Sequence, residues 1–195
     1  MALERGLASR AAFKLEELLA RHRLVRRGAR VLDLGCAPGG WLAVLAKAVG
    51  PKGRVVGVDR APCRAPAPWV TTLTGDLKEE NIRSAAYEVL GARAGLVTCD
   101  MAPRLSGVRD RDQQAMTELL ELALTSANEI LKPGGAFVVK VFMNADLKPV
   151  VGRLKTVFST VNLVRPQATR RGSSEMYVVA SGFFSADGLC DRCAK

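Results

Sequence analysis

The chain has 195 residues, enough for one domain with a sizeable core, and its 48% of hydrophobic residues exclude a disordered protein. It carries 29 Lys and Arg against 19 Asp and Glu, a net charge of +10. That excess favours a polyanionic partner such as nucleic acid, although a basic surface is also found without one. No apolar run approaches the roughly 20 residues of a membrane span, so we expect no membrane association. We also expect a single domain over residues 1–195 and a monomer.

The first element in chain order is a helix, predicted over residues 8–22 from the spacing of its apolar residues. Ser9 stands where an N-cap is expected. A basic segment over residues 21–30 follows, and it contains the arginines Arg21, Arg23, Arg26, Arg27 and Arg30.

Apolar runs and helical patterns then alternate along the chain. Strands are predicted at 31–34, 54–58, 70–74, 95–99 and 135–142, helices at 41–49, 78–90, 113–131 and 147–158, and a turn at 132–135. Two final apolar stretches, 160–165 and 176–184, predict an antiparallel hairpin at the edge of the sheet. The alternation predicts a mostly parallel α/β sheet with helices on both faces.

The cysteine pattern indicates a reducing compartment. Five cysteines are an odd number for a disulfide framework, and we expect a cytoplasmic protein. Cys190 and Cys193 form a CxxC in the tail. A zinc site needs about four ligands, but the one histidine is His22 and there is no second CxxC. We therefore expect no metal site.

A glycine-rich turn, DLGCAPGGW at 33–41, follows the first predicted strand. Its GxxxGG spacing differs from the GxGxxG of dinucleotide-binding turns, and no GK[ST] follows as in a phosphate loop. Gly35, Gly39 and Gly40 allow backbone and ligand to approach closely. Asp59 ends the next apolar run, where an acidic residue binds a ribose diol in nucleotide-binding folds. An adenosine ligand without phosphates, such as S-adenosylmethionine, fits; the alternative is a purely structural turn.

Four charged residues stand in apolar surroundings: Lys14, Asp100, Lys140 and Glu175. A lysine in a central strand is costly to bury unless it is paired, so Lys140 needs a carboxylate partner. Asp100 and Glu175 border neighbouring strands and are the candidates. Each residue also has an ordinary structural alternative, such as the solvated face of a helix for Lys14, but the set together with the glycine turn favours a site.

These motifs resemble the FtsJ (RrmJ-type) ribosomal RNA 2′-O-ribose methyltransferases. The matching pieces occur in order from about residue 8 to about residue 183: SRAAFKL at 9–15, LDLGCAPGGW at 32–41, GVD at 57–59, GD at 75–76, DMAP at 100–103, LKPGG at 131–135, KVF at 140–142 and RGSSEMYVVA at 171–180. The resemblance implies a Rossmann-like class I methyltransferase domain, with a seven-stranded, mostly parallel sheet whose last pair is reversed. The tail at 185–195 lies outside the pattern, and Cys99 stands where a serine is common.

The resemblance also implies the site residues and the methyl donor. The implied catalytic set is Lys14, Asp100, Lys140 and Glu175, and the implied cofactor is S-adenosyl-L-methionine. Its expected contacts are Gly35, Pro38, Gly39, Gly40, Trp41, Asp59, Asp76 and Asp100. We expect RNA contacts from Arg10, Arg21, Arg23, Arg26 and Arg27.

The implied reaction is methylation of a ribose 2′-hydroxyl, which is a poor nucleophile until its proton is removed. Lys140 acts either as the base or as a cation that orients the developing alkoxide, and the residues leave both roles open. The expected substrate is a uridine of large-subunit (23S-type) ribosomal RNA, in the large subunit or its precursor. The alternatives are transfer RNA and a non-catalytic RNA-binding assembly protein, against which the intact catalytic set argues.

Overall fold

The computed structural model describes residues 2–103, 106–143, 147–170 and 172–184. The helices in these segments are α1 (Ala2–His22), α2 (Gly40–Val49), α3 (Glu80–Leu90), α4 (Arg109–Ile130) and α5 (Lys148–Lys155). The strands are β1 (Arg30–Leu34), β2 (Arg54–Asp59), β3 (Val70–Thr74), β4 (Ala94–Cys99), β5 (Leu131–Phe142), β6 (Phe158–Val164) and β7 (Glu175–Phe183). Among the helices of these segments, none is long and apolar enough to cross a membrane.

The strands form a single seven-stranded sheet in the order β3-β2-β1-β4-β5-β7-β6. All pairs are parallel except those of β7, which runs antiparallel to both β5 and β6. The predicted mostly parallel sheet and the final antiparallel hairpin are therefore confirmed, with β6 rather than β7 at the edge. Of the two strands expected to be reversed, only β7 is, and β6 runs in the same direction as β5. The winding reverses between β1 and β4, and in such sheets ligands bind at the carboxyl ends of the strands at that point.

Helices cover both faces of the sheet, as predicted. One face packs against α1 and α2 through residues such as Leu18, and the other against α3, α4 and α5 through residues such as Leu90. Side chains alternate along β5, so Phe137 belongs to the α3–α5 side and Val138 to the α1–α2 side. Lys140 follows Val138 in this alternation and therefore rises on the side of α1.

Two predicted helix bounds are wrong for identifiable reasons. Helix α1 begins at Ala2, so Ser9 lies inside it and is not an N-cap; Ala, Leu, Glu and Arg in the first turns are strong helix formers. Helix α5 ends at Lys155 rather than at residue 158. Phe158 instead begins β6, because its ring packs against those of Phe137 and Phe183 in the core.

Other bounds also shift. Residues 132–135 belong to β5 rather than to a separate turn, and the register between β4 and β5 is irregular there, with Gly134 at a φ of +75°. Helix α4 begins at Arg109 rather than at 113, with acidic residues in its first turn, where they interact favourably with the helix dipole. The CxxC at 190–193 lies outside the described residues.

Candidate active site

The glycine turn joins β1 to α2 at the point where the sheet winding reverses. Gly35 has a φ of +77°, and a Cβ atom there would lie 2.2 Å from Cγ of Met101. Gly39, at the start of α2, has a φ of +103°. Both positions therefore favour glycine. The Ala37 N–H donates to Oδ2 of Asp59 at 3.0 Å, which ties the turn to the end of β2.

Two cavities open beside this turn and share the lining residues Gly35, Ala37 and Asp100. The larger, of about 780 Å³, lies over the ends of β2 and β3 and reaches α4. The smaller, of about 400 Å³, lies between α1 and the loop that joins β6 to β7. The geometry thus provides two adjoining compartments that meet at a carboxylate.

Three of the four predicted catalytic residues, Lys14, Asp100 and Glu175, line the smaller cavity, and the fourth, Lys140, contacts Asp100. Lys14 Nζ donates to Glu175 Oε1 at 2.5 Å. Lys140 Nζ lies 3.1 Å from Asp100 Oδ1 and donates to the Asp100 carbonyl oxygen at 2.5 Å. Of the two candidate partners for Lys140, the structure therefore selects Asp100. Lys14 is paired rather than solvated, with a side chain only 15% exposed.

Tyr177 joins the two ion pairs, and sequence reasoning missed it. Its hydroxyl lies 3.0 Å from Asp100 Oδ1 and 2.8 Å from Glu175 Oε1. Burial, followed by the charges of these two carboxylates, raises the pKa of Tyr177 far above its usual value, so the phenol remains a hydrogen-bond donor. The available signal was the spacing of two residues from Glu175, which places both side chains on one face of a strand.

Hydrogen bonding keeps Glu175 ionised despite its burial. Burial acts to raise the pKa of Glu175, but the hydrogen bonds from Lys14 and Tyr177, together with the charges of Lys14 and Lys140, outweigh it and hold the pKa below its ordinary value. The site therefore holds two carboxylates, two lysines and a neutral phenol in one connected set.

Asp33 is a second feature that the sequence did not reveal. It is 1% exposed, and its Oδ1 accepts a hydrogen bond from Thr98 Oγ1 at 2.7 Å. Its Oδ2 has no hydrogen-bond partner among the described residues. Burial is the main cause that raises the pKa of Asp33 from 3.8 to about 8. The carboxyl group below the glycine turn is therefore mostly protonated at neutral pH.

The predicted cofactor residues divide between the two cavities, except for Gly39, which lines neither. Asp59 and Asp76 line the larger one. Each oxygen of Asp59 accepts one backbone N–H, from Ala37 and Ala61. Two hydrogen bonds lower the pKa of Asp76. The stronger effect comes from the Lys78 backbone N–H, and the second from Arg60 Nη2, which lies 2.6 Å from Asp76 Oδ2.

Pro38, Gly40 and Trp41 line the smaller cavity instead. The Trp41 indole N–H donates to the Ala11 carbonyl oxygen at 2.9 Å, and its ring lies 5.8 Å from that of Tyr177. Trp41 therefore connects α2 to α1, and this contact helps to position Lys14 on α1.

The predicted RNA-binding arginines also separate. Arg10 lines the smaller cavity. The basic segment, with Arg21, Arg23, Arg26 and Arg27, is exposed at the far end of α1. It lies beside the amino end of β1, where the Gly28 N–H donates a hydrogen bond to the Val49 carbonyl oxygen at the end of α2. Eight residues of helix place the end of α1 about 12 Å beyond Lys14. The loop between β6 and β7 instead brings Arg170 to the cavity.

The cysteines described by the structure, Cys36, Cys63 and Cys99, are all free thiols. Within the described segments, no group of three or more His, Cys, Asp or Glu side chains is arranged to bind a metal.

The sheet order, the glycine turn and the adjoining cavities define a methyltransferase of the Rossmann-like class. The chain belongs to the FtsJ-like methyltransferase family, whose model matches residues 7–183. The predicted family and fold class are therefore confirmed.

Individual relatives agree with this assignment. The chain is 45% identical over 183 residues to a protein of Anaeromyxobacter dehalogenans named ribosomal RNA large subunit methyltransferase E, covering 93% of this chain and 68% of the relative. It is 44% identical over 182 residues to a protein of the same name from Anaeromyxobacter sp. strain Fw109-5, covering 93% and 66%. The chain thus spans about two thirds of each. A solved structure from Plasmodium falciparum, provisionally described as a ribosomal RNA methyltransferase, has a TM-score of 0.77 and 26% identity, covering 91% of this chain and 98% of that one.

Proposed function

We propose that the protein transfers a methyl group from S-adenosylmethionine to a ribose 2′-oxygen of large-subunit ribosomal RNA. The observation that carries the proposal is the connected set of Lys14, Asp100, Lys140 and Glu175 at a cavity that shares Asp100 with a larger one. In this proposal the larger cavity holds the methyl donor and the smaller one the target nucleotide. The names of the two relatives support ribosomal RNA as the substrate.

The residues of the larger cavity fit S-adenosylmethionine. Each carboxylate oxygen of Asp59 has used one lone pair on a backbone N–H, which leaves capacity to accept from the hydroxyls of a ribose. Leu77, Met101, Leu119 and Leu122 give the same cavity apolar surface suited to an adenine ring. Bound there, the cofactor supplies a methyl group already activated by a positively charged sulfur.

Lys140 acts on the 2′-oxygen. As an ammonium it has three N–H donors, and its two contacts with Asp100 use two of them. The remaining donor holds the 2′-oxygen and stabilises the negative charge that develops on it. If Lys140 is neutral, it removes the hydroxyl proton instead. Either role requires Asp100 to fix the position of the amine.

Lys14, Glu175 and Tyr177 support this arrangement. Glu175 accepts hydrogen bonds from both of the others, and Tyr177 also reaches Asp100. Because Tyr177 is fully buried, its position is fixed by packing. The orientation of the Asp100 carboxylate is thereby coupled to the Lys14–Glu175 ion pair.

The test is transfer of a labelled methyl group from S-adenosylmethionine to large ribosomal subunits, to free ribosomal RNA and to transfer RNA. The modified nucleotide is then mapped by mass spectrometry, with Lys140→Ala as the inactive control. We expect a 2′-O-methylated uridine in large-subunit RNA. Label in transfer RNA alone would overturn the substrate, and label in none of the three would overturn the reaction.

A further inference from the structure

The two most exposed large hydrophobic side chains of the described segments lie close in sequence to the two lysines of the proposed catalytic set. Phe13, which precedes Lys14 on α1, is 57% exposed, and Met143, three residues after Lys140, is 59% exposed. Single exposed apolar residues are common on protein surfaces. Two of them beside one polar cavity form a feature that the methyl-transfer chemistry does not by itself explain.

The loop between β6 and β7 connects these two positions. At one end, the Gln167 N–H donates to Glu17 Oε2 at 2.8 Å, and Glu17 lies one helical turn beyond Phe13 on α1. At the other end, the Met143 N–H donates to the Ser174 carbonyl oxygen at 2.7 Å. Phe13, the described residues of this loop and Met143 therefore form a rim beside the smaller cavity, which the loop lines through Ala168, Arg170 and Ser173.

The rim is positively charged. Arg10 and Arg170 line the cavity itself. Arg165 is exposed on the loop, and its guanidinium Nη1 lies 3.7 Å from Sδ of Met143. Arg10 stands three residues before Phe13, so the two side chains share one side of α1. Cations interleaved with exposed apolar and aromatic side chains suit a single nucleic acid strand, because its bases are free to stack while its phosphates pair with arginine.

We infer that this rim binds an unpaired RNA strand, with the bases beside the target nucleotide stacked on Phe13 and Met143. Arg10, Arg165 and Arg170 contact the phosphates. A base-paired helix does not suit the rim, because its bases are already stacked and present no free faces. The inference rests on the proposed function for the identity of the nucleic acid, and it adds that the target segment is single-stranded when it binds.

The test compares wild type with Phe13→Ala and Phe13→Trp. Leu163→Ala is the matched control, because Leu163 is 47% exposed on β6 while the neighbouring Val164 packs toward α1 on the other face of the sheet. The probes are a fluorescent twelve-nucleotide RNA strand and the same strand annealed to its complement, measured by anisotropy at fixed salt. We expect Phe13→Ala to weaken binding of the single strand roughly 5- to 150-fold, the range for one lost base–aromatic stack. Duplex binding should stay unchanged, Phe13→Trp should retain single-strand binding, and the control should match wild type.

Equal binding of the single strand by wild type and Phe13→Ala would overturn the inference, as would an equal loss for strand and duplex. Methylation gives a second readout: Phe13→Ala should raise KM for RNA while the affinity for S-adenosylmethionine stays unchanged. If wild type shows the expected strand binding but methylates no RNA, the proposed function fails and the strand-binding inference stands. The two claims are thereby separated.

Discussion

Asp33→Asn should change how the free energy of unfolding depends on pH. The Asp33 side chain is 1% exposed. One carboxyl oxygen accepts a hydrogen bond from Thr98, and the other has no hydrogen-bond partner among the described residues. Burial is the main cause that raises its pKa from 3.8 to about 8. Asparagine has nearly the same shape and no titration in this range, so it isolates the ionisation of this one carboxyl group.

The sign follows from proton binding. Between about pH 4 and pH 8 the folded protein keeps a proton on Asp33 that the unfolded chain has released, so unfolding becomes easier as the pH rises. The favourable contribution of Asp33 to the free energy of unfolding is complete below pH 4 and is lost progressively as the pH rises to about 8. Above pH 8 the loss does not increase further. At 1.36 kcal/mol per pKa unit, the loss at pH 7 is about 4 kcal/mol.

The assay is urea unfolding of cofactor-free protein at pH 5, 7 and 9, for wild type and Asp33→Asn. The stability of the variant relative to wild type should increase by about 3 kcal/mol from pH 5 to pH 7 and level off above pH 8. Any fixed cost of the amide cancels in this difference. The control is Asp112→Asn, an exposed carboxylate whose pKa is lowered by hydrogen bonds from Ser106, and it should show no such increase over this range. A relative stability of Asp33→Asn that is the same at all three pH values would refute the reasoning.

Three further predictions concern the reaction. Lys140→Ala should abolish single-turnover methylation, while calorimetry shows unchanged cofactor affinity. If Lys140 is the base, Lys140→Arg should also be inactive, because a guanidinium cannot accept a proton. Partial activity of Lys140→Arg would favour the orienting role. Tyr177→Phe should slow single-turnover methylation by about tenfold, the effect of one lost hydrogen bond to a charged group, and an unchanged rate would contradict its positioning role. Asp59→Ala should weaken S-adenosylmethionine binding in calorimetry by about tenfold or more for the same reason, and unchanged affinity would show that another group binds the ribose.

The fold was predictable from local patterns because each helix or strand has a recognisable pattern of apolar residues within a short stretch. The alternation of apolar runs with helical patterns predicted the parallel sheet, and the glycines at 35, 39 and 40 predicted the turn where its winding reverses. The wrong boundary between α5 and β6 depends on distant contacts. Phe158 reads as the end of a helix until Phe137 and Phe183 are known to surround it.

The candidate site was predictable as a set of residues, but not as a network. Sequence placed Asp100 and Glu175 equally well beside Lys140, since both border neighbouring strands. The choice follows from β7 lying antiparallel against β5, with Phe142 opposite Glu175, so that Glu175 meets Lys14 of α1 and Tyr177 turns toward Asp100. Pairings between strands far apart in the chain carry no local signal, so the contact between Tyr177 and Asp100 could not be read from the sequence.

The charge of the chain illustrates the same limit. A net charge of +10 predicts a polyanionic partner, but it does not say which arginines face the site. The densest basic stretch, at 21–30, lies beside the amino end of β1, whereas Lys140 and Asp100 lie toward the carboxyl ends of their strands. Arg170, in a sparser basic stretch that also contains Arg165, lines the smaller cavity together with other residues of the loop between β6 and β7. Under the proposed function, RNA that contacts both regions must therefore extend along α1, away from the smaller cavity.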